Sequence, residues 1–422
     1  MNSEIIRASK IQINKAVISD FLRGTSIEMF SFVLGLFILR ETNSALGFAL
    51  TEFLGPVLGI IFAPAMGSLI DSHKHKPLII VSQISSIALL LIFLFVFLFL
   101  PTARFIAIIL ISGILSVIND FQNTSYKSST INMVGPAFLQ KLTALEDIAS
   151  NISSIAGPIL AGSIYAFVSI PFFVATEILV EIIVIFLIFS MDFELTNKQV
   201  IEDSNQSEGG QSNWQLFKLG ISYIANHKNL SFIMIVVMLV NFFMTCLIIG
   251  QPFILIHYFH VSNFNYGLLS AMTSIGMIAS GITLSFLPEV KKPVKYTFVF
   301  GLLFGVTISL MAVPVLLDNR FSLLALIVYA LISLALGTML SAANIPISIY
   351  FKKYIPENYQ GRVMTVSNVL GQFLNPVGLV IYGVIFDHAQ AADIFFWSGL
   401  ISMIIVLLYS SGLRGKAQET TN

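Results

Sequence analysis

The stretch IALLLIFLFVFLFL, residues 87–100, has no polar side chain on any face of a helix. A helix in a soluble bundle carries polar residues every third or fourth position, because one of its sides faces water. The whole chain has the same bias: 56% of its 422 residues are hydrophobic, 10% are charged, and the mean hydropathy is +0.89. Since soluble domains contain about 25% charged residues, these values predict a polytopic membrane protein.

Twelve apolar runs approach the roughly 20 residues that a helix needs to cross a hydrocarbon core of about 30 Å. They lie at 17–39, 45–70, 77–100, 105–126, 146–167, 170–191, 230–256, 265–287, 296–317, 321–346, 363–385 and 390–412. The predicted fold class is therefore an all-α membrane protein with twelve transmembrane helices.

Lysine and arginine predict how these helices are oriented. Eighteen of the 22 fall on the side of the two termini, whereas Arg40, Arg104 and Arg320 fall on the other side and Arg23 lies within the first run. Because positively charged loops stay in the cytoplasm, we expect both termini there, which requires an even number of spans. We expect a multi-pass monomer in the lipid bilayer of the plasma membrane.

Glycines and prolines recur at nearly constant spacing along the chain. Gly47 and Gly267 open the second and eighth runs, and Pro136 and Pro356 precede the fifth and eleventh, each pair 220 residues apart. Pro158 and Pro376, 218 residues apart, are predicted to break those two spans. Such spacing predicts two equivalent six-helix bundles.

The domain boundaries follow from this repeat and from the polar stretch that begins at residue 192. We predict an N-terminal six-helix bundle at 1–191, a cytoplasmic linker with a short amphipathic helix at 192–229, and a C-terminal six-helix bundle at 230–422.

The sequence offers little support for catalysis or a cofactor. It lacks HExxH, GxSxG and phosphate-loop motifs, and its single cysteine and six histidines have no metal-ligand spacing. The net charge is zero and gives no indication of a nucleic-acid partner. We expect no enzyme activity, no cofactor, no metal and no nucleic acid.

Three motifs together resemble those of the major facilitator superfamily, in particular the branch that includes macrolide efflux pumps and siderophore exporters. They are GSLIDSHKHK (67–76), GPILAG (157–162) and IPENYQGRV (355–363). The first departs from the usual pattern at Ser72, Lys74 and His75. The arginine that many proton-coupled exporters carry in the fourth span is also missing.

The resemblance implies roles for the residues in these motifs. Asp71 would face the N-terminal end of the eleventh helix and latch a cytoplasmic gate, an arrangement that the helix dipole favours. The implied gate residues are Gly67, Asp71, Lys76, Gly361 and Arg362. Gly157, Pro158 and Gly162 would form a helix bend that lets a neighbouring helix approach.

Acidic residues within or at the edge of the spans, all in the predicted N-terminal bundle, include Asp20, Glu28, Glu52, Asp120, Glu177 and Glu181. The predicted C-terminal bundle has none at membrane depth, since Glu289, Asp318, Glu357, Asp387 and Asp393 fall in loops or at span ends. Glu28 lies 11 residues after Val17, about 16 Å along a helix and close to the bilayer centre. An ionised carboxylate there costs about 2.5–3.5 kcal/mol. We expect Glu28 to bind either a proton or a cationic part of the substrate, with Asp120, Glu181 and Glu177 as further coupling candidates.

Glu177 and Glu181 share one face of the sixth predicted helix. They are predicted either to share a proton, because two adjacent carboxylates do not both ionise readily, or to hydrogen-bond polar groups on neighbouring helices. The resemblance places this helix outside the set that lines the central cavity, and both interpretations stay open.

The resemblance also selects polar and aromatic residues as candidates for a substrate cavity. These are Asn119, Gln122, Asn241, Met244, Gln251, Tyr329 and Asn344. The 37 phenylalanines and 14 methionines of the chain suit an adaptable apolar pocket.

We therefore expect a secondary-active transporter that exports amphipathic or cationic small molecules, of the multidrug or macrolide type, by proton-coupled alternating access. One alternative is a lipid or metabolite transporter, like those for lysophospholipids or siderophores, that protons do not drive. The other is a membrane sensor or immunity protein without transport activity.

Overall fold

A computed structural model describes residues 3–195, 213–286, 293–317, 323–355, 363, 366–367 and 369–419. Within these ranges the chain is helical, with turns and short loops but no β-strand. A membrane offers no water to backbone amides and carbonyls, so apolar segments satisfy these groups within each helix.

The first part of the chain forms seven helices. They are α1 Ser3–Thr42, α2 Ala45–Ser72, α3 His75–Phe99, α4 Arg104–Val134, α5 Pro136–Ile164, α6 Ile170–Phe189 and α7 Asn213–Asn226, with a short 3₁₀ turn at Pro101–Ala103 between α3 and α4. The last of these is the short helix predicted in the linker.

In the described residues of the second part, seven more helices have defined bounds. They are α8 Lys228–Phe253, α9 Asn263–Phe286, α10 Pro293–Leu310, α11 Ala312–Leu316, α12 Leu323–Tyr354, α13 Asn375–His388 and α14 Ala391–Glu419. A π-helical turn, Ile254–Tyr258, extends α8.

Eleven helical segments of the described chain are long and apolar enough to cross a membrane. The predicted fifth span, 146–167, is not among them, although α5 covers most of it. Asn151 and the serines around it lower the hydropathy of this part of α5. The count of twelve transmembrane helices thus stays a prediction.

The two prolines predicted to break spans behave differently. Helix α13 begins at Asn375, with Pro376 in its first turn, where a missing amide proton costs nothing. Pro158 instead lies inside α5, which continues without interruption to Ile164. The predicted break is therefore present at Pro376 but not at Pro158.

Contacts divide the chain into two compact units. The first comprises residues 1–37 and 54–213, and the second comprises residues 38–53 and 214–422. The end of α1 and the first part of α2 therefore belong to the second unit, whereas the rest of both helices belongs to the first.

Close packing of glycines brings pairs of helices together in each unit. In the first unit, a methyl group added at Gly55 would lie 2.7 Å from Ser116 Oγ, so α2 and α4 touch there. In the second unit, one added at Gly276 or Gly337 would overlap the backbone of the facing helix, which joins α9 to α12. Small residues commonly allow such close approach in membrane bundles.

Candidate functional site

Glu177 and Glu181 are the most deeply buried acids among the described side chains of the first unit, with exposed fractions of 4% and 2%. Ser26 of α1 donates its hydroxyl proton to Glu177 Oε2. Gln83 of α3 donates from Nε2 to the carboxylate of Glu181 and to its backbone carbonyl oxygen, 3.2 Å away. The interpretation that both acids hydrogen-bond neighbouring helices is therefore confirmed.

This polar contact continues to a third helix. Gln122 of α4 donates from Nε2 to Gln83 Oε1. Gln83 and Gln122 are 0% and 3% exposed. Glu181, Gln83 and Gln122 thus form a buried chain of hydrogen bonds across α6, α3 and α4, and Gln122 lies in that chain rather than on a surface that a substrate can reach.

Arg23 is the buried cation of the same unit and joins α1 to α4. Its guanidinium donates to Asn119 Oδ1 at 3.5 Å and to Asn123 Oδ1. Because Asn119 accepts from Arg23, its role in this structure is to hold the arginine in place.

Glu28 differs from the buried acids because its side chain is exposed, although it lies in the middle of α1. Within the described part of the chain, no group donates a hydrogen bond to its carboxylate. An exposed carboxylate without a donor can accept a proton or a cation, and this role of Glu28 stays a prediction.

Helix α5 fixes the position of Glu28. Its Gly157 faces Glu28 so closely that an added methyl group would overlap Glu28 Cβ and lie 3.2 Å from the backbone carbon of Glu28. One turn earlier on each helix, Thr25 and Ser153 share a 3.0 Å hydrogen bond between their hydroxyls. Gly157 thus allows α5 to support the α1 backbone at Glu28.

Asp120 is also exposed and lies on α4 next to the arginine-bound Asn119. Its Oδ2 faces Gly59 of α2, where an added methyl group would lie 3.6 Å away. We name Glu28 and Asp120 the exposed acid pair, in contrast to the buried acid pair Glu177 and Glu181.

The predicted gate residues fall in three places. Gly67 and Asp71 lie in the last turns of α2, while Gly361 and Arg362 lie outside the described residues. Lys76 donates to the carbonyl oxygens of Phe189 and Met191, at 2.9 and 2.7 Å. The structure thus places Lys76 on the end of α6, and its role in a gate stays a prediction.

Asn241 and Asn344 are the two cavity candidates that the structure brings together. With apolar residues of α8, α10 and α12 they line a cavity of about 50 Å³ in the second unit. Tyr329 is only 1% exposed, so it cannot contact a solute in this conformation. Met244 and Gln251 are half-buried on α8 and do not line this cavity.

Sequence reasoning missed Ser26, Gln83 and Asp387. Ser26 and Gln83 carry a weak signal, since each is a polar residue inside an apolar run opposite a buried acid. Asp387 closely follows the predicted span 363–385, where a charge is unremarkable, but it accepts three hydrogen bonds at the start of α2.

Comparison with known proteins covers nearly the whole chain. The model of the Major Facilitator Superfamily matches residues 16–379. Macrolide efflux protein A of Streptococcus pyogenes is 19% identical over 382 residues, which cover 88% of each chain.

Solved structures show the same fold. A bacterial homologue of the iron transporter ferroportin, in an inward-facing state, aligns with 94% of this chain and 98% of its own at a TM-score of 0.69 and 15% identity. The nucleoside transporter NupG aligns with 95% and 98% at a TM-score of 0.71 and 14% identity. At these identities the likeness concerns the fold alone.

Proposed function

Because the chain belongs to the major facilitator superfamily, we propose that this transporter exports amphipathic or cationic small molecules by proton-coupled alternating access. The family and its fold indicate a transporter rather than an enzyme. The similarity to macrolide efflux protein A supports the direction of transport and the kind of substrate. We place the protein in the plasma membrane as a monomer with both termini in the cytoplasm.

The exposure of Glu28 carries this proposal. The described part of the chain gives its carboxylate no hydrogen-bond donor, and the residue lies about 16 Å along α1 from Val17. An ionised carboxylate at that depth needs a partner, and a proton and a cationic substrate can each supply one. Because the two compete for one carboxylate, binding of one releases the other, as antiport requires.

Asp120 and the buried acid pair take different parts in this proposal. Asp120 is exposed and gives the first unit a second site for a proton. Glu177 and Glu181 are held by Ser26 and Gln83, so we assign them to the support of the helices around Glu28. A cation that reaches Glu28 does not reach them directly, because both are buried.

The test uses everted membrane vesicles with an imposed pH gradient, a radiolabelled macrolide and a fluorescent hydrophobic cation. We expect transport that follows the gradient, and a fall to about a hundredth or less in Glu28→Gln, because a positioned proton-transferring group typically contributes 10²-fold or more. Glu41→Gln is the matched control, since Glu41 is exposed at the end of the same helix.

Other outcomes decide against parts of the proposal. Gradient-dependent transport that survives in Glu28→Gln removes the role of Glu28. Transport that persists after the gradient has been collapsed favours a lipid or metabolite carrier that protons do not drive. A protein that moves no compound in a broad screen of proteoliposomes favours a sensor or immunity protein.

A further inference from the structure

The turn between α1 and α2 is bound by one carboxylate. Asp387, in the last turn of α13, accepts hydrogen bonds from Ser44 Oγ at 2.6 Å, from the amide of Ala45 at 2.6 Å and from the amide of Leu46 at 3.2 Å. Ala45 is the first residue of α2. A carboxylate is favoured at this position because helix N-termini carry unpaired amides and a partial positive charge.

The packing beside Asp387 matches this contact. Gly383 lies one turn earlier on the same face of α13. A methyl group added there would lie 2.7 Å from Ala49 Cβ and 3.0 Å from Leu46 Cα, so α13 and the start of α2 touch through their backbones. His257 Nε2 lies 3.3 Å from the carbonyl oxygen of Leu39, which adds a contact at the end of α1.

These contacts explain why residues 38–53 are assigned to the second unit. The remainder of α1 and α2 belongs to the first unit and includes Glu28 on α1. The turn that rests on α13 therefore directly follows α1, the helix that carries Glu28.

The contact is suited to release. Ser44 and Asp387 are half-buried, so water can replace each hydrogen bond when the helices separate. The hydrogen bonds of Glu177 and Glu181 differ, because those carboxylates are buried and would lose their donors without replacement. Close contact through Gly383 adds little side-chain interlocking that would oppose separation.

We propose that Asp387 is a releasable latch, which holds the α1–α2 turn on α13 in one conformation and lets it go in another. The proposal rests on the alternating access of the proposed function, because that mechanism requires a contact that forms and breaks in each cycle. Asp387 then sets the balance between the two conformations, while Glu28 binds the transported species.

The test measures distances between spin labels in the purified full-length protein. Cys246 is the only cysteine and is buried, so Cys246→Ala provides the background. Labels are attached at Glu41→Cys and Gln390→Cys, two exposed positions beside the latch. Double electron–electron resonance then reports a shorter distance for the closed latch and a longer one for the open latch.

In Asp387→Asn we expect the ratio of longer to shorter distances to rise about fivefold or more, within the usual range for a coupling between conformations. Asparagine keeps the size of the side chain but cannot accept the same three hydrogen bonds. Asp393→Asn is the matched control, because Asp393 is an exposed acid in the first turn of the next helix, α14. We expect it to keep the distances of the parent protein.

An unchanged distribution in Asp387→Asn overturns the latch, as does an equal change in Asp393→Asn. Ser44→Ala removes one of the three donors and should give a smaller rise, with no further rise when it is combined with Asp387→Asn. If Asp387→Asn does not fold, Ser44→Ala alone decides, and an unchanged distribution then overturns the proposal. Because the measurement needs neither substrate nor gradient, a failed transport assay leaves its result intact.

Discussion

At the scale of single residues, the acids inside the helices of the first unit differ in burial and in their hydrogen-bond donors. Glu177 and Glu181 are buried and each is met by a neutral donor from another helix. Glu28 and Asp120 are exposed, and the described chain supplies no donor to Glu28. A buried polar group loses stability unless it is hydrogen-bonded, so the first pair is suited to support and the second to exchange of protons or cations.

Gln83 is the residue whose loss should disturb the buried acid pair most. In Gln83→Leu, Glu181 and Gln122 lose a partner inside the bundle, and an unpaired buried polar group costs about 1–3 kcal/mol. We expect the free energy of unfolding to fall by about this amount in thermal or denaturant melts of the purified protein. Ser85→Ala is the control, since Ser85 is exposed on the same helix. Equal stability of the two variants would contradict the buried chain.

At the scale of helices, close approach depends on glycines. Helix α5 supports α1 through Gly157, and α2 meets α4 through Gly55 and Gly113. Polar side chains then complete these crossings, such as the Thr25–Ser153 hydrogen bond. The position of Glu28 therefore depends on a glycine of the neighbouring helix, a residue that has no reactive group itself.

Gly157→Ala should separate α1 from α5. The new methyl group would overlap Glu28 Cβ, and overpacking of this kind costs about 1–3 kcal/mol. We expect lower stability together with impaired transport, since the backbone that carries Glu28 must move. Gly59→Ala provides the comparison, because its methyl group would lie at an ordinary 3.6 Å from Asp120 Oδ2. A Gly157→Ala protein as active as Gly59→Ala would show that α5 does not position Glu28.

The end of α6 is bound by two lysines. Lys76 donates to the carbonyl oxygens of Phe189 and Met191, and Lys15 donates to that of Ser190 at 2.7 Å. The ammonium of Lys76 also lies 5.9 Å from the centre of the Phe193 ring. Cations are favoured at helix C-termini, where carbonyls are unpaired.

Lys76→Met should therefore destabilise the first unit by about 1 kcal/mol. Lys74→Met should have a smaller effect, because the Lys74–Glu194 ion pair has exposed side chains, 76% and 57%, and such pairs contribute little. Thermal unfolding of both purified variants checks the order. A larger loss in Lys74→Met would show that the C-terminus of α6 does not need its lysine.

Across the whole molecule, some helix pairs related by the predicted repeat are joined by the same kind of contact, and others are not. The repeat predicts that α2 and α4 of one half correspond to α9 and α12 of the other, and both pairs are packed through glycines. It also predicts that α3 and α6 correspond to α10 and α14. Gln83 and Glu181 join the first of these pairs, whereas Gly305 and Gly399 bring the second together.

The placement of charge follows the same asymmetry. Among the described residues, the buried charged side chains are Arg23, Glu177 and Glu181, all in the first unit. In the described part of the second unit, the buried side chains that carry a polar group are those of serines, threonines, tyrosines and Cys246, all of them neutral groups. If the second unit has no buried charge beyond the described residues either, it is suited to provide an apolar surface to a substrate, and the proposed mechanism assigns the proton-binding groups to the first unit.

Much of this fold follows from the sequence, because apolar runs and membrane thickness leave few choices. Runs such as 87–100 identify helices directly, and the family followed from three motifs. The depth of Glu28 also follows from counting residues along α1. Its exposure does not, since a position within a helix does not show which neighbours cover it.

The partners of polar residues were harder to predict. Ser26 and Glu177 lie 151 residues apart, and Ser44 and Asp387 lie 343 apart. No local pattern links such positions, because the contact depends on how distant helices pack. The interpretation of Lys76 as a gate residue likewise relied on its motif, whereas its hydrogen bonds depend on where α6 ends.

The assignment of residues 38–53 to the second unit has a consequence for how the chain can be divided. The polypeptide passes between the units three times, at 37/38, 53/54 and 213/214. A fragment that ends after residue 195 would carry the α1–α2 turn with it, and the complementary fragment would lack that piece of its own unit. The two units are therefore not separable at a single cut, and neither half of the gene encodes the second unit completely.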